Sequence, residues 1–323
     1  MGNITIQSLS KPDDRHLYAV GRVRFLEIHL LDRDILGDLI EAETLQEVLV
    51  KLRDTIYGES AIEISESLDF ELMLALETEN LIRLIDSMNP DPELTDLFVH
   101  EIDIKNLKIL FKSHLGNAPE PEKFFAMGRF DIAKLRLLLD GDYVADLPEW
   151  MIDGARSLLV EWDKYPKLRT VDEVLDRAHL LAQVKIAREA GLPVLEKYFL
   201  ALIDLYNVET FLRIRITERS RAQFEHFFVP GGGIAFDFFL ENWEARIVEL
   251  PRVFEHTRFK DYIIRAIEEF ENEGTLTTLE FEGARIRMEL LSESRYITFG
   301  PEPILAYLVE RMFELKVLRT IMV

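Results

Sequence analysis

The chain has 323 residues, 48% of them apolar, no cysteine, and 38 Lys and Arg against 59 Asp and Glu, for a formal net charge of −21. The apolar fraction supports a packed core and rules out a disordered tail. The length predicts two or three domains, and the absence of Cys removes disulfides, thiolate chemistry and Cys-based zinc sites, as expected of a cytoplasmic protein. So acidic a chain has no basic field with which to gather nucleic acid, although it complements a basic partner.

Residues 1–15 are polar with Pro12, lack the charged-then-apolar order of a signal peptide, and are expected to be a loose lead-in. From Tyr18 to Leu31 the apolar positions Tyr18, Phe25, Ile28 and Leu31 follow a helical period, with Arg22 and Arg24 between them. Asp34 to Leu52 reads as two short helices, the second capped by Thr44 with Glu47 three residues on. Tyr57-Gly58 is expected to close that run as a C-cap. Leu68 to Met88 is a strongly apolar helix, and Asn89-Pro90-Asp91-Pro92 breaks it.

The next helix, Pro92 to Leu115, recurs. A second copy runs from Pro193 to Ile216, and the two share a Pro start, Leu94/Leu195, Phe98/Phe199, Ile102/Ile203, the pairs Asp103-x-x-Asn106 and Asp204-x-x-Asn207, and Lys112/Arg213. Pro in the first turn loses no internal hydrogen bond, and the acidic residues behind it suit the positive end of the helix dipole. A weaker third copy, Gly300 to Val323, keeps the outline but places Arg311 and Glu314 where the others have Asp and Asn. Periods near 100 residues exceed the solenoid range, so the copies predict three related domains, 1–117, 118–220 and 221–323. Asp and Asn are poor helix formers, so their recurrence needs a reason. A metal or acid/base site would not survive a switch to Arg, whereas a polar contact tying the helix to a neighbour would.

After the first copy, Gly116 to Glu122 is a loop, and Phe124-Phe125-Ala-Met-Gly128 precedes a helix from Asp131 to Leu139. The second copy repeats this with Phe227-Phe228-Val-Pro-Gly231-Gly232-Gly233 and a helix from Asp237 to Trp243. Trp150 to Trp162, Asp172 to Ala190, Pro251 to Phe270 and Leu276 to Leu291 are further helices. No alternating strand pattern is present, so the class is all-α with many short helices. No run of 18 apolar residues is present to span a bilayer.

The chain offers little chemistry. Its seven His are scattered, and His100-Glu101 lacks the second His of a zincin helix. Asp176 and His179 have the spacing of a carboxylate–His ligand pair, but such di-iron sites need two of these motifs and further Glu. Gly231-Gly232-Gly233 lacks the Lys-Ser/Thr of a phosphate loop, and Asp140-Gly141-Asp142 lacks the remaining ligands of a calcium loop. No nucleophile elbow is found. The residues leave two readings open: a free-standing helical scaffold for a basic partner, and a helical-bundle metalloenzyme on Asp176, His179 and the acidic repeats. No catalytic, cofactor-binding or metal residue is assigned, and no small-molecule substrate or nucleic acid is expected.

The order of features resembles a known family. Tyr18-x-x-x-Arg22-Val23-Arg24, Leu30-Leu31, Thr55-Ile-Tyr57-Gly58, the Asp103-x-x-Asn106-Leu107 helix, Arg169-Thr-Val171-Asp172 and Phe299-Gly300-Pro301 through Leu318-Arg319 look like the C subunit of V/A-type ATP synthases, the d subunit of the eukaryotic vacuolar enzymes. The likeness extends over nearly the whole chain and rests on order and spacing. One departure is that the chain stops at Val323, where members usually run a few residues further. The resemblance implies three related helical domains arranged with pseudo-threefold symmetry into a funnel. It implies a non-catalytic rotor part on the cytoplasmic face of the membrane, seated on the proteolipid ring and receiving the tip of the central shaft, formed by the D and F subunits. It marks no interface residue.

Overall fold

The computed structural model describes residues 14–121, 124–125, 127–217, 220–276 and 278–323. The expected lead-in, apart from Asp14 and Arg15, lies outside the described residues. So do Glu122 and Ala126, beyond the first repeated helix, and Thr277 of the predicted helix 276–291. Among the described residues the fold is all-α, with α-helices, short 3-10 turns and no strand. The three repeated helices span Pro92–Leu115, Pro193–Ile216 and Glu302–Met322. The second buries residues on nearly every side, as do the first turns of the third, which places both inside the fold.

The described residues form two compact units. The first takes those within Met1–Asn106, Pro121–Asp131 and Ser292–Val323. Its helices begin where the local chemistry starts them. Asp32 accepts the N–H groups of Asp34 and Ile35 ahead of Arg33–Ile40, and Thr44 accepts that of Glu47 ahead of Leu45–Leu52. The Glu47 carboxylate reaches back to the Glu43 N–H, one residue short of a closed capping box. The helix Phe70–Met88 stops because Asn89, held extended before Pro90 (ψ 119°), folds its amide onto the backbone of Asp91. The core gathers Leu39, Leu49, Leu52, Tyr57, Ile64 and Met73, and the third repeated helix completes it with Leu315, Leu318 and Met322. Arg24 secures the segment before that helix by donating to the carbonyls of Ser294, Arg295 and Ile297.

The second unit takes the described residues within Leu107–Glu120 and Ile132–Leu291. Helices Glu149–Lys164 and Leu168–Glu189 pack together, and the second repeated helix packs on Leu168–Glu189 and on Thr278–Leu291. Lys108 and Lys112 pair with Asp176 and Asp172. Phe211 is ringed by Phe224, Phe239, Trp243 and Phe254, with centroids 5.4 to 6.2 Å away. Aromatic pairs at this spacing add to the stabilisation from burial.

Two local expectations are corrected. Tyr57-Gly58 does not end a helix but opens the helix Gly58–Glu63. Pro251 to Phe270 is not continuous: Leu250–Val253 and Lys260–Glu273 are separate helices. Both errors have one cause. The Thr55 hydroxyl donates to the Leu52 carbonyl and accepts the Tyr57 N–H, and Thr257 does the same with Phe254 and Phe259. A Thr side chain that offers the backbone such partners breaks a helix and restarts it three residues on. The backbone at Tyr57 (φ −92°, ψ 0°) and Phe259 (φ −91°, ψ 0°) is nearly the same, so this junction is a second internal repeat. Arg221–Phe227 is a further helix, not among those expected, and Phe227 ends it.

Candidate functional site

The recurring polar pair is a constellation that the chain builds more than once, and the structure shows what it does. Asp103 and Asn106 lie on the inner face of the first repeated helix, 0% and 1% exposed. Asp103 accepts the N–H groups of Arg129 and Phe130, and Asn106 both donates to and accepts from the backbone of Phe125. In the second copy Asp204 accepts from Gly233 and Ile234, and Asn207 closes the same two-way bond with Val229. Each pair therefore clamps the turn that follows its own helix. Backbone groups withdrawn from water need partners, and here a side chain supplies them where no helix or sheet can, most fully at Val229, where both bonds are buried.

These bonds fix the register of the repeat. The helix positions are 101 residues apart (Asp103 to Asp204), but the clamped turns are 104 apart (Arg129 to Gly233). Phe125 thus corresponds to Val229, not to Phe228. The expected pairing of Phe124-Phe125 with Phe227-Phe228 is off by one. Phe125 is 41% exposed, while Val229 is fully buried. Gly128 corresponds to Gly232, and at each a Cβ would fall on the clamping Asp Oδ1. The preceding position is left-handed in both turns, Met127 at φ 72° and Gly231 at φ 109°.

Burial pushes the Asp103 carboxyl up to about 6, against the pull of the two N–H donors. Asp204 is raised for the same reason, with its own N–H donors and Arg258 opposing. Arg129, beside the first clamp, forms a fork to Asp86 and also binds Asp96. The glycine run therefore does cradle an anion, and the anion is the chain's own Asp204.

The third copy differs in kind. Arg311, 5% exposed, donates to Glu314 Oε2 and Glu77 Oε2, each at 3.1 Å, and lies 4.4 Å over the Tyr57 ring. Glu314 accepts the Leu31 N–H and, at 2.8 Å, the Tyr57 hydroxyl; Ser60 donates to Glu77. Burial, with the glutamates beside it, pushes the Tyr57 hydroxyl well above its usual range, although Arg311 opposes this. These groups satisfy one another. The arrangement holds a loop against a helix and presents no activated nucleophile or base.

The other residues weighed from sequence do not converge. Asp176 bonds to Lys108, while His179 stacks on Trp150, 5.3 Å between centroids. His100 stacks on Phe130, and burial lowers its basicity. Among the described residues no group of three or more His, Asp or Glu is placed to hold a metal, and no helix is long and apolar enough to cross a membrane. The helix Leu17–Glu27 and the residue after it leave Leu17, Tyr18, Phe25 and Ile28 exposed. Sequence reasoning missed the Arg311–Glu77 pair. The signal was the charge swap in the third copy, but nothing local named Glu77, 234 residues away, as its partner.

Known proteins resemble this chain over most of its length. Residues 19–323 match the family described as ATP synthase (C/AC39) subunit. The C subunit of the V-type sodium ATPase of Enterococcus hirae is 23% identical over 305 residues, 93% of this chain and 91% of that protein. The C subunit of the A-type ATP synthase of Methanocaldococcus jannaschii is 24% identical over 328 residues, 95% of this chain and 82% of its own length. Its counterpart in Pyrococcus abyssi is 21% identical, covering 94% and 85%. The order of short motifs seen in the sequence is thus a family likeness, and the chain belongs to the ATP synthase (C/AC39) subunit family.

Proposed function

We propose that this protein is a non-catalytic rotor part of a V/A-type ATP synthase or ATPase, coupling the central shaft to the membrane ring. The family match from residue 19 to the end of the chain carries the reading. In it, the protein sits on the cytoplasmic face of the membrane as a socket between the proteolipid ring and the D and F subunits of the shaft, and hydrolyses nothing itself. The three repeated helices then mark three related domains, 1–117, 118–220 and 221–323, arranged with pseudo-threefold symmetry into a funnel.

The clamps support such a role on physical grounds. A part that passes torque must resist deformation, and a turn tied to a buried helix by four hydrogen bonds is stiffer than a free one. A net charge of −21 suits docking to a basic face, where it gives orientation and rate more than affinity. The test is copurification of the tagged chain from its own cells. The proteolipid ring and the two shaft proteins should come with it in fixed proportion. A tagged chain that brings down neither, from membranes in which the assembled ATPase is present, would sink the proposal.

A further inference from the structure

Three helices of one outline occur in this chain, and each must reach its own place. The apolar positions do not tell them apart. Leu107, Val208 and Leu315 correspond, as do Leu110, Phe211 and Leu318, and all six are at most 6% exposed. Any groove that takes one such stripe offers the others a similar fit.

The polar pair does tell them apart. In the first unit, the groove that takes the third helix presents the Glu77 carboxylate, the Tyr57 hydroxyl and the Leu31 N–H. These want a cation followed, one turn on, by an acceptor, and Arg311 and Glu314 are that. Asp103 or Asp204 in the place of Arg311 would set a second carboxylate against Glu77, itself 5% exposed, with no cation between them. The opposite error is barred too. The first clamp offers the N–H groups of Arg129 and Phe130, and a guanidinium there would meet donors with donors. We infer that the groove formed by Leu31, Tyr57 and Glu77 is a recognition site for a helix bearing Arg-x-x-Glu, and that this pair selects the third repeated helix over its two relatives. A buried polar contact that fixes which helix packs where is the best-attested use of such pairs.

The test uses the full-length chain and hydrogen exchange of backbone amides, with the second helix, residues 198–214, as internal reference. R311D should speed exchange across residues 304–318 about a hundredfold or more, as breaking a buried pair does. In an E77Q background the same substitution should be at least about tenfold milder, because its repulsive partner is gone. The reversed pair, E77R with R311E, should recover at least about tenfold over either single change. If the single variants give no soluble chain, soluble yield of the reversed pair is the reading, and recovery supports the assignment. An R311D penalty independent of residue 77, or a reversed pair no better than its singles, overturns it.

Discussion

Gly128 and Gly232 are glycines because a carboxylate occupies the space of their Cβ. Alanine at either must displace Asp103 or Asp204 and loosen two charge-assisted bonds, at roughly 2–4 kcal/mol by the usual scale of such losses. Gly21, inside the helix Leu17–Glu27, has nothing within 4 Å of a Cβ. There alanine should stabilise by about 0.5–1 kcal/mol, since a helix gains from losing glycine's freedom. Urea midpoints of the three variants should therefore move down, down and up. The acid behind the first clamp gives a second reading at this scale. Asp103 is held near 6 in the folded chain against 3.8 as its ordinary value, so between those limits the folded state binds the extra proton. Its contribution is fully present below about pH 3.8 and is lost as pH rises through 6, by up to about 3 kcal/mol. Stability from pH 4 to 6.5 should accordingly fall less steeply in Asp103→Asn than in the parent, with a residual slope from Asp204. Equal slopes would mean that the carboxyl is not perturbed.

At the level of the element, the clamp is a side-chain substitute for secondary structure. Asn207, 0% exposed, gives Val229 both of its backbone bonds. Asn207→Ala leaves a buried N–H and C=O unpaired, each worth about 1–3 kcal/mol. Amide exchange at Val229 should rise by more than about tenfold, while the aromatic cluster around Phe211 keeps its protection; unchanged exchange at Val229 would show that water serves as well as the amide. Which parts of this were legible in advance follows from range. The repeated helices were readable to their ends because proline, apolar spacing and acidic first turns are all local. The breaks at Thr55 and Thr257 were not, since apolar periodicity runs through them and only the hydroxyl's choice of partner interrupts it. The pairs Asp103/Asn106 and Asp204/Asn207 were visible as an anomaly, poor helix formers in a good helix. Their partners lie 19 to 30 residues on, in turns whose register slips by three, and no spacing rule reaches that far.

Charge acts at the scale of the whole molecule. An excess of 21 negative charges adds nothing to a clamp or a core; it acts on encounters. If the proposed seat on a membrane ring is correct, the cytoplasmic loops that receive this protein carry the Lys and Arg excess common to such loops. Association should then be steered from beyond contact range and be screened as the Debye length shrinks from about 10 Å at 0.1 M salt to about 3 Å at 1 M. The rate of rebinding to membranes stripped of this protein should fall by an order of magnitude or so across that range, while dissociation changes much less. A dissociation rate that carries the whole salt effect would place the charges in short-range pairs within the interface. Rebinding indifferent to salt would leave apolar contact as the force that seats the protein, with the net charge serving solubility alone.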